Sequence, residues 1–262
     1  MKVCLLVDGD TISEWQANAL RHLLDNTNSE VTALVYDEHE RSRTYAETLK
    51  RALKLREWAP IAVLNRTVAG PIPHHDPVPL SNLIEMDAVE HHHVDPKIID
   101  GWKQEIPEDV AAAVGASADI GIRFGFGFIV GPILSAFEHG VLSYHHGDLR
   151  EYRGQPMGFW EFVNGEDTAG VTVQQITEHL DAGRIAALKQ VDISGEHTWE
   201  GVKRRLLDES ADMLTTAVRA AAAGTIREPE SLGPLYSHPT GRPVATFAAR
   251  NAVGHVKEAI KT

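Results

Sequence analysis

The sequence has a single cysteine among 262 residues, Cys4. One thiol cannot form an internal disulfide, so the chain fits a reducing compartment such as the cytoplasm. No stretch approaches the roughly 18 apolar residues of a membrane span. The start, MKVCLLVDG, has neither a long apolar region nor a small-residue cleavage site. We therefore expect a cytoplasmic protein that is neither exported nor inserted in a membrane.

Basic side chains are scarce. The chain has 25 Lys and Arg against 37 Asp and Glu, which gives a net charge of −12. This charge opposes nonspecific binding to nucleic acid and to anionic membranes, so a small-molecule substrate is favoured over a nucleic acid. The 43% hydrophobic and 24% charged residues are ordinary globular values, which excludes a wholly disordered chain.

The chain also lacks a glycine-rich phosphate loop at its first turn. The apolar run Lys2–Val7 has the form of a buried first strand, residues 11–24 carry apolar side chains at helical spacing, and residues 31–36 form a second apolar run. This order predicts a right-handed βαβ unit. Its turn, Asp8-Gly9-Asp10, is not a Gly-x-Gly-x-x-Gly motif, and two carboxylates there would repel a pyrophosphate, which argues against a dinucleotide site.

The next hundred residues give local signals. Residues 45–58 predict a basic amphipathic helix, and residues 69–80 contain four prolines, which predicts an extended loop. One histidine cluster, His74-His75-Asp76, lies within this loop, and another, His91-His92-His93, follows it. Because no cysteine or further regularly spaced ligand accompanies them, a solvated loop and a strand end are favoured over a metal site. Residues 107–114 predict a short helix.

The most informative stretch is residues 141–185. His145 and Asp181 lie 36 residues apart, and each follows an apolar β-like run, at residues 141–142 and 171–176. We expect two parallel strands to bring these side chains together at their C-terminal ends, where open α/β sheets place their chemistry.

The motifs in this stretch resemble those of the folate-dependent formyltransferases, the family of glycinamide ribonucleotide, methionyl-tRNA and sugar-nucleotide formyltransferases. In that family an Asn-x-His strand precedes an Arg-Gly-x-x-Pro loop or a relative of it, a Gly-Val-Thr strand and then Leu-Asp-x-Gly. The matching pieces here are Ser143-Tyr144-His145, Arg153-Gly154-Gln155-Pro156, Gly170-Val171-Thr172 and Leu180-Asp181-Ala182-Gly183. Ser143 stands where the family has Asn.

The resemblance covers residues 119–191 closely and residues 1–192 loosely. It implies an α/β fold, a Rossmann-like and mostly parallel sheet with helices on both faces. We expect residues 1–192 to form the catalytic domain and residues 193–262 to form a C-terminal helical extension. In the extension, residues 199–223 predict one long helix whose pattern fits either packing on the core or a contact in a homodimer, and residues 244–260 predict a last helix. This tail is short for the C-terminal barrel with which methionyl-tRNA formyltransferases hold tRNA.

The resemblance also implies a reaction. The chain would transfer a formyl group from 10-formyltetrahydrofolate to an amine of a small-molecule acceptor, such as an amino-sugar nucleotide or glycinamide ribonucleotide. His145 would hold the formyl oxygen, and Asp181 would favour the imidazolium and pass protons through a water molecule, with no metal.

Folate contacts follow from the same resemblance. Glycines alternate with aromatics in residues 124–128, and glycine lets a backbone approach a flat ligand closely. The resemblance assigns folate binding to two short runs. They are Gly127, Phe128, Ile129 and Val130, and Thr177, Glu178 and His179.

Because Ser143 replaces the family's asparagine, more than one reaction is compatible with the sequence. A serine hydroxyl offers one donor on a short stem where asparagine offers two. Either Ser143 acts through a water molecule, a neighbour such as His146 replaces it, or activity is impaired. A His-His pair is also a feature of the related formyltetrahydrofolate hydrolases, so the alternatives are hydrolysis of the same folate and a folate-binding protein without turnover. On strand geometry alone, His146 faces away from His145.

Overall fold

The computed structural model describes residues 1–39 and 55–261. Ten residues of the helix expected at 45–58 lie outside the described residues.

The strands of the described chain vary from two to nine residues in length. They are β1 (Lys2–Val7), β2 (Thr11–Ser13), β3 (Glu30–Asp37), β4 (Pro77–Pro79), β5 (Glu90–Val94), β6 (Lys97–Ile99), β7 (Lys103–Glu105), β8 (Ile120–Arg123), β9 (Phe128–Val130), β10 (Val141–His145), β11 (Arg153–Gly154), β12 (Thr168–Gln175), β13 (Arg184–Asp192) and β14 (Leu235–Tyr236).

The α-helices alternate with the strands over most of the chain. They are α1 (Glu14–Asn26), α2 (Trp58–Ala69), α3 (Glu108–Ser117), α4 (Ile133–Ala136), α5 (Phe159–Asn164), α6 (Trp199–Asp208), α7 (Met213–Ala222) and α8 (Arg242–Lys261).

A seven-stranded sheet in the order β13-β12-β10-β8-β1-β3-β5 forms the centre of the fold. The five strands from β10 to β5 are parallel to one another, and β12 and β13 are antiparallel to their neighbours. The predicted βαβ unit is confirmed, since β1 and β3 pair in parallel with α1 between them. The predicted α/β class with a Rossmann-like, mostly parallel sheet is likewise confirmed.

Helices cover both faces because the side chains of the central strands alternate. Val3, Leu5 and Val7 of β1 belong to one buried cluster, which contains the inward side chains of α1, α6 and α7. Cys4 and Leu6 belong to a second cluster with side chains of α3 and α4. A strand buried on both faces reads as a continuous apolar run, which is how β1 appears in the sequence.

The expectation that two parallel strands carry His145 and Asp181 is wrong. Strand β12 runs antiparallel to β10, with His145 opposite Thr172. The chain continues from β12 through residues 176–183 into its antiparallel neighbour β13, and a short connection of this kind can only join antiparallel strands. This loop, rather than a strand end, brings Asp181 back to His145.

The single long helix expected at 199–223 is also wrong, since α6 and α7 are separated by residues 209–212. Ser210 is buried in the break, and its hydroxyl donates to the backbone oxygen of Leu206 at 2.7 Å. Serine hydroxyls compete in this way with the helical hydrogen bonds. The last helix is confirmed as α8, and the helix expected at 11–24 begins only at Glu14, after the short strand β2.

The proline-rich segment is extended where β4 pairs with β2, and the three consecutive histidines lie on the edge strand β5. In the described ranges, 1–39 and 55–261, the structure has no helix with both the length and the apolar character needed to cross a bilayer.

Candidate active site

A cavity of about 510 Å³ lies beyond the carboxyl ends of β8 and β10. Its volume falls within the range of about 300 to 1,000 Å³ that is usual for small-molecule sites. One part of the wall is aromatic and apolar, and the other carries the predicted catalytic groups. The lining residues are Trp102, Arg123, Phe126, Gly127, Phe128, Ile129, His145, Gly154, Gln155, Gln174, Ile176, Thr177, His179, Leu180 and Asp181.

His145 is the last residue of β10, and both of its ring nitrogens have neighbours. Nε2 lies 2.9 Å from the backbone oxygen of Tyr152. Nδ1 lies 3.5 Å from Oδ1 of Asp181. The tight turn depends on Gly147, where a Cβ atom would approach His145 Nε2 to 2.6 Å. The imidazole is therefore fixed on one side by a carbonyl and on the other by a carboxylate.

Asp181 is held by the Arg-Gly loop. Arg153 donates from Nε to the backbone oxygen of Asp181 at 2.7 Å and from Nη2 to that of Leu180 at 3.0 Å. The backbone N–H of Gly154 donates to Oδ2 of Asp181 at 3.1 Å, and Gln174 Nε2 lies 3.3 Å from Oδ1. Asp181 itself has a left-handed backbone, with φ of 45°. The loop motif thus positions the carboxylate, and it does so mainly through backbone contacts.

Ser143 is buried two residues before His145, and its hydroxyl contacts Arg123 at the end of β8. Arg123 Nε and Nη2 donate to Ser143 Oγ at 3.1 and 2.9 Å, and Nη1 donates to the backbone oxygen of Gly127 at 2.5 Å. Burial lowers the pKa of the Arg123 guanidinium, against the opposing effect of the carboxylates of Asp181 and Asp8. Arg123 was missed in the sequence, although a cation at the end of an apolar strand is a signal that could have found it.

His146 faces the opposite side of β10 from His145. Its Nε2 lies 3.0 Å from the hydroxyl of Ser210, and its ring contacts Trp15 and Tyr144. Burial lowers the pKa of His146 to about 3, with a smaller effect of the same sign from His145. His146 is therefore a neutral core residue, and it does not stand in for the missing asparagine.

Residues 124–128 after β8, the Phe-Gly segment, pack against the first turn of the chain. A Cβ atom at Gly125 would collide with the backbone of Val7 and Asp8. The backbone N–H of Phe126 donates to Oδ1 of Asp8 at 2.5 Å, and Phe126 has a positive φ of 64°. The backbone N–H of Gly127 donates to the side chain of Gln104. Asp8 thus anchors this segment at the mouth of the cavity.

The structure brings most of the predicted folate residues to the cavity. Gly127, Phe128, Ile129, Thr177 and His179 line it. Val130 is buried on β9 and Glu178 is exposed, and neither side chain lines the cavity.

Trp102 completes the aromatic wall. Its ring lies 5.0 Å from that of Phe128, and its side chain is 52% exposed. The pairing of β7 with β9 brings it there from about 25 residues earlier in the chain. No local pattern identifies such a residue in the sequence.

One histidine of each cluster contacts a single carboxylate. His74 Nε2 lies 2.7 Å from Asp208, and His93 Nδ1 lies 2.8 Å from Glu38. The described parts of the chain contain no group of three or more His, Cys, Asp or Glu side chains arranged to hold a metal ion.

Solved structures with the same fold include formyltransferases. Glycinamide ribonucleotide transformylase 1 from Symbiobacterium toebii aligns with a TM-score of 0.53 and 21% identity over 90% of this chain and 94% of that one. A sugar N-formyltransferase from a Shewanella species aligns with a TM-score of 0.57 and 12% identity over 96% and 87%. At these identities the likeness is one of fold.

Relatives in sequence include methionyl-tRNA formyltransferases. That of Sorangium cellulosum is 30% identical over 151 residues, which covers 56% of this chain and 45% of the relative. That of Thermotoga neapolitana is 32% identical over 109 residues, which covers 41% and 35%. The chain thus spans less than half the length of these relatives. The sequence model described as formyl transferase matches residues 81–218, more than half of this chain, which therefore belongs to the formyl transferase family.

Proposed function

We propose that this chain transfers a formyl group from 10-formyltetrahydrofolate to an amine of a small-molecule acceptor. The observation that carries the proposal is the pair formed by His145 and Asp181, 3.5 Å apart in a cavity with aromatic walls. The donor supplies the activated formyl carbon, as cofactors commonly supply the difficult chemistry. Folinic acid is bound in the solved N-formyltransferase of Helicobacter canadensis, which shares the fold with a TM-score of 0.52 and 14% identity.

The residues of the cavity fit such a donor. Trp102, Phe126 and Phe128 offer faces for a flat ring, while His145 and Asp181 lie in the same cavity for the reacting group. The attacking amine must lose a proton and the departing folate nitrogen must gain one. An imidazole beside a carboxylate performs both transfers, and such general acid–base catalysis typically contributes about 10²- to 10⁴-fold in rate.

We propose that the acceptor places no phosphate group against the first turn of the protein, which follows β1. A second cavity, of about 260 Å³, lies there, and it is lined by Asp8, Thr11, Ile12, Ser13, Gln16, His75, Pro77 and Phe124. None of these described lining residues is a lysine or arginine. Phe124 lines this second cavity and Phe126 lines the first. The two cavities therefore lie next to each other. Hydroxyl and amide side chains in this lining suit the hydroxyl groups of an amino sugar.

The experiment mixes purified protein with 10-formyltetrahydrofolate and follows tetrahydrofolate release, alone and with a panel of amines. The panel includes amino-sugar nucleotides, unphosphorylated amino sugars and glycinamide ribonucleotide. His145→Ala is the inactive control, and His93→Gln, whose ring lies on the edge strand, is the matched control. We expect release that depends on the acceptor and is lost only in His145→Ala.

Other outcomes would contradict the proposal. Release that needs no acceptor would identify a hydrolase, although the orientation of His146 toward Ser210 gives that alternative no support. Folate binding without release from any compound would identify a binding protein.

The two predicted regions are retained in this proposal, with catalysis in residues 1–192 and a supporting helical extension in residues 193–262. Its support is that side chains of α6 and α7 pack in the same buried cluster as those of β1, and that the Tyr144 hydroxyl on β10 donates to the backbone oxygen of Ser210 at 2.9 Å. The break between α6 and α7 thus bears on the strand that carries His145.

A further inference from the structure

Arg123 contacts Ser143, the residue that stands where the family has asparagine. The Ser143 oxygen accepts hydrogen bonds from two nitrogens of one guanidinium. Its own hydrogen has only a 3.5 Å contact with the backbone oxygen of Tyr144. Since Ser143 is 2% exposed and is not among the residues that line the cavity, its hydroxyl does not reach a ligand there.

Arg123 has donors to spare. A guanidinium carries five N–H groups in a planar fork. Three of them are used, two by Ser143 and one by the backbone oxygen of Gly127. The remaining two, one on each terminal nitrogen, have no hydrogen-bond acceptor in the described residues. The side chain lines the same cavity as His145 and Asp181.

Two other residues near Ser143, His146 and Gln174, are excluded as the missing donor by their contacts. His146 lies on the opposite face of β10, with its Nε2 against Ser210. Gln174 donates its amide to Asp181 and accepts from the backbone N–H of Gly183. Arg123 is therefore the cavity residue that combines a permanent positive charge with free N–H groups.

We propose that Arg123 donates to the formyl oxygen and is the catalytic residue that replaces the family's asparagine, with Ser143 as the residue that positions it. The inference rests on the proposed function. The amine nitrogen forms a new bond to the formyl carbon, and the C=O electron pair moves to the oxygen, where the Arg123 N–H groups stabilise the charge. The pair then returns, the bond to the folate nitrogen breaks, and the amine proton passes through His145 to that nitrogen.

A charged donor suits this role. Hydrogen bonds from an ionised donor are roughly twice as strong as neutral ones. Loss of one donor to a developing oxyanion typically lowers kcat by about 10²- to 10³-fold. The exchange of Asn for Ser therefore need not impair the enzyme, because Ser143 fixes the guanidinium through two hydrogen bonds.

The test compares the binding of 10-formyl-5,8-dideazafolate with that of 5,8-dideazafolate, which differs only by the formyl group. We expect the protein to bind the formylated compound about tenfold more tightly. Arg123→Met should abolish this preference while binding of the unformylated compound changes less than threefold. Ser143→Ala, which frees the guanidinium, should reduce the preference in part.

A rescue variant separates a donor role from a structural one. In the Arg123→Met background, Ser143→Asn restores the family's amide and should restore part of the preference. Circular dichroism and thermal unfolding confirm that each variant is folded, and Arg123→Lys provides a milder change if Arg123→Met does not fold.

Two results would overturn the inference, and they are distinguishable. If Arg123→Met retains the preference, or loses affinity equally for both compounds, Arg123 is not the donor although folate binding stands. If the unaltered protein binds neither compound, the proposed function fails and the inference fails with it.

Discussion

Nδ1 of His145 faces Oδ1 of Asp181 at 3.5 Å, while Nε2 of the same ring faces a backbone carbonyl at 2.9 Å. A carbonyl can only accept a hydrogen bond, so Nε2 carries a hydrogen. In the proposed reaction, the proton that the ring exchanges would therefore be on Nδ1, next to the carboxylate. The pair would take that proton from the amine and pass it to the departing folate nitrogen.

The first prediction concerns this carboxylate. Asp181→Asn keeps the shape of the side chain but removes the carboxylate charge 3.5 Å from Nδ1 of His145. We expect kcat for acceptor-dependent formyl transfer to fall about 100-fold or more, with the folate Kd changed less than threefold. Asp109→Asn, on the exposed start of α3, is the matched control. Equal turnover of the two variants would refute a role for Asp181 in proton transfer.

The second prediction concerns the aromatic wall. Trp102 is half exposed and packs on Phe128 at the cavity. Since an aromatic contact is worth about 0.5 to 1.5 kcal/mol, Trp102→Ala should weaken folate binding about three- to tenfold. Trp102→Phe keeps a ring face and should retain most of the affinity. Titration with 10-formyl-5,8-dideazafolate measures both, and an unchanged affinity in Trp102→Ala would remove this residue from the site.

The third prediction concerns Gly154. Its φ is +92°, and a Cβ atom there would collide with the backbone oxygen of Tyr236. Gly154→Ala should therefore lower the free energy of unfolding by about 3 kcal/mol and displace the N–H that holds Asp181. Gly224→Ala is the control, because its φ of +65° is also positive but open space surrounds it. That variant should cost only about 1 kcal/mol. Urea unfolding compares the two, and similar losses would contradict the collision.

The sequence predicts the pair formed by His145 and Asp181 better than it predicts the contacts that hold this pair. His145, Asp181 and the Arg-Gly loop follow from motifs, because each is a short local pattern. Three other features depend on strand pairing between distant segments. They are the antiparallel direction of β12, the contact of Arg123 with Ser143, and the position of Trp102 beside the cavity. The break after α6 was missed for a similar reason. Ser210 in this break contacts Tyr144 and His146, which come from a distant part of the chain. Periodicity alone reports none of these contacts.

The fourth prediction concerns stability at mildly acidic pH. Burial lowers the pKa of His146 to about 3 from an ordinary value of 6.5. Below pH 6.5 the unfolded chain binds a proton at this histidine and the folded chain does not. The free energy of unfolding therefore falls with decreasing pH by up to about 1.4 kcal/mol per pH unit. His146→Gln lacks this proton. The destabilisation that it causes should therefore be about 2 kcal/mol smaller at pH 5 than at pH 7.5 in urea unfolding.

His93→Gln provides the control for this effect, because its ring is 55% exposed on the edge strand. Its effect on stability should change little between the two pH values. If His146→Gln behaves in the same way, His146 is not held neutral by burial.

The last prediction has the opposite sign. Glu161 on α5 is buried, and its Oε1 has no hydrogen-bond partner among the described residues. Burial raises the pKa of Glu161 to about 7 from 4.5, and the nearby carboxylates of Glu166, Glu151 and Asp148 add to it. Between these values the folded chain holds a proton that the unfolded chain has released. Stability from this group is thus present below pH 4.5 and is lost as pH rises toward 7.

Glu161→Gln removes the titration while keeping the shape of a protonated carboxyl group. Relative to the unaltered protein, this variant should gain about 2 kcal/mol of unfolding free energy between pH 4.5 and pH 7.5. Exposed Glu138→Gln should show no such gain. Urea unfolding at the two pH values measures the difference. A gain that is absent, or equal in both variants, would mean that the Glu161 carboxylate is already compensated in the fold.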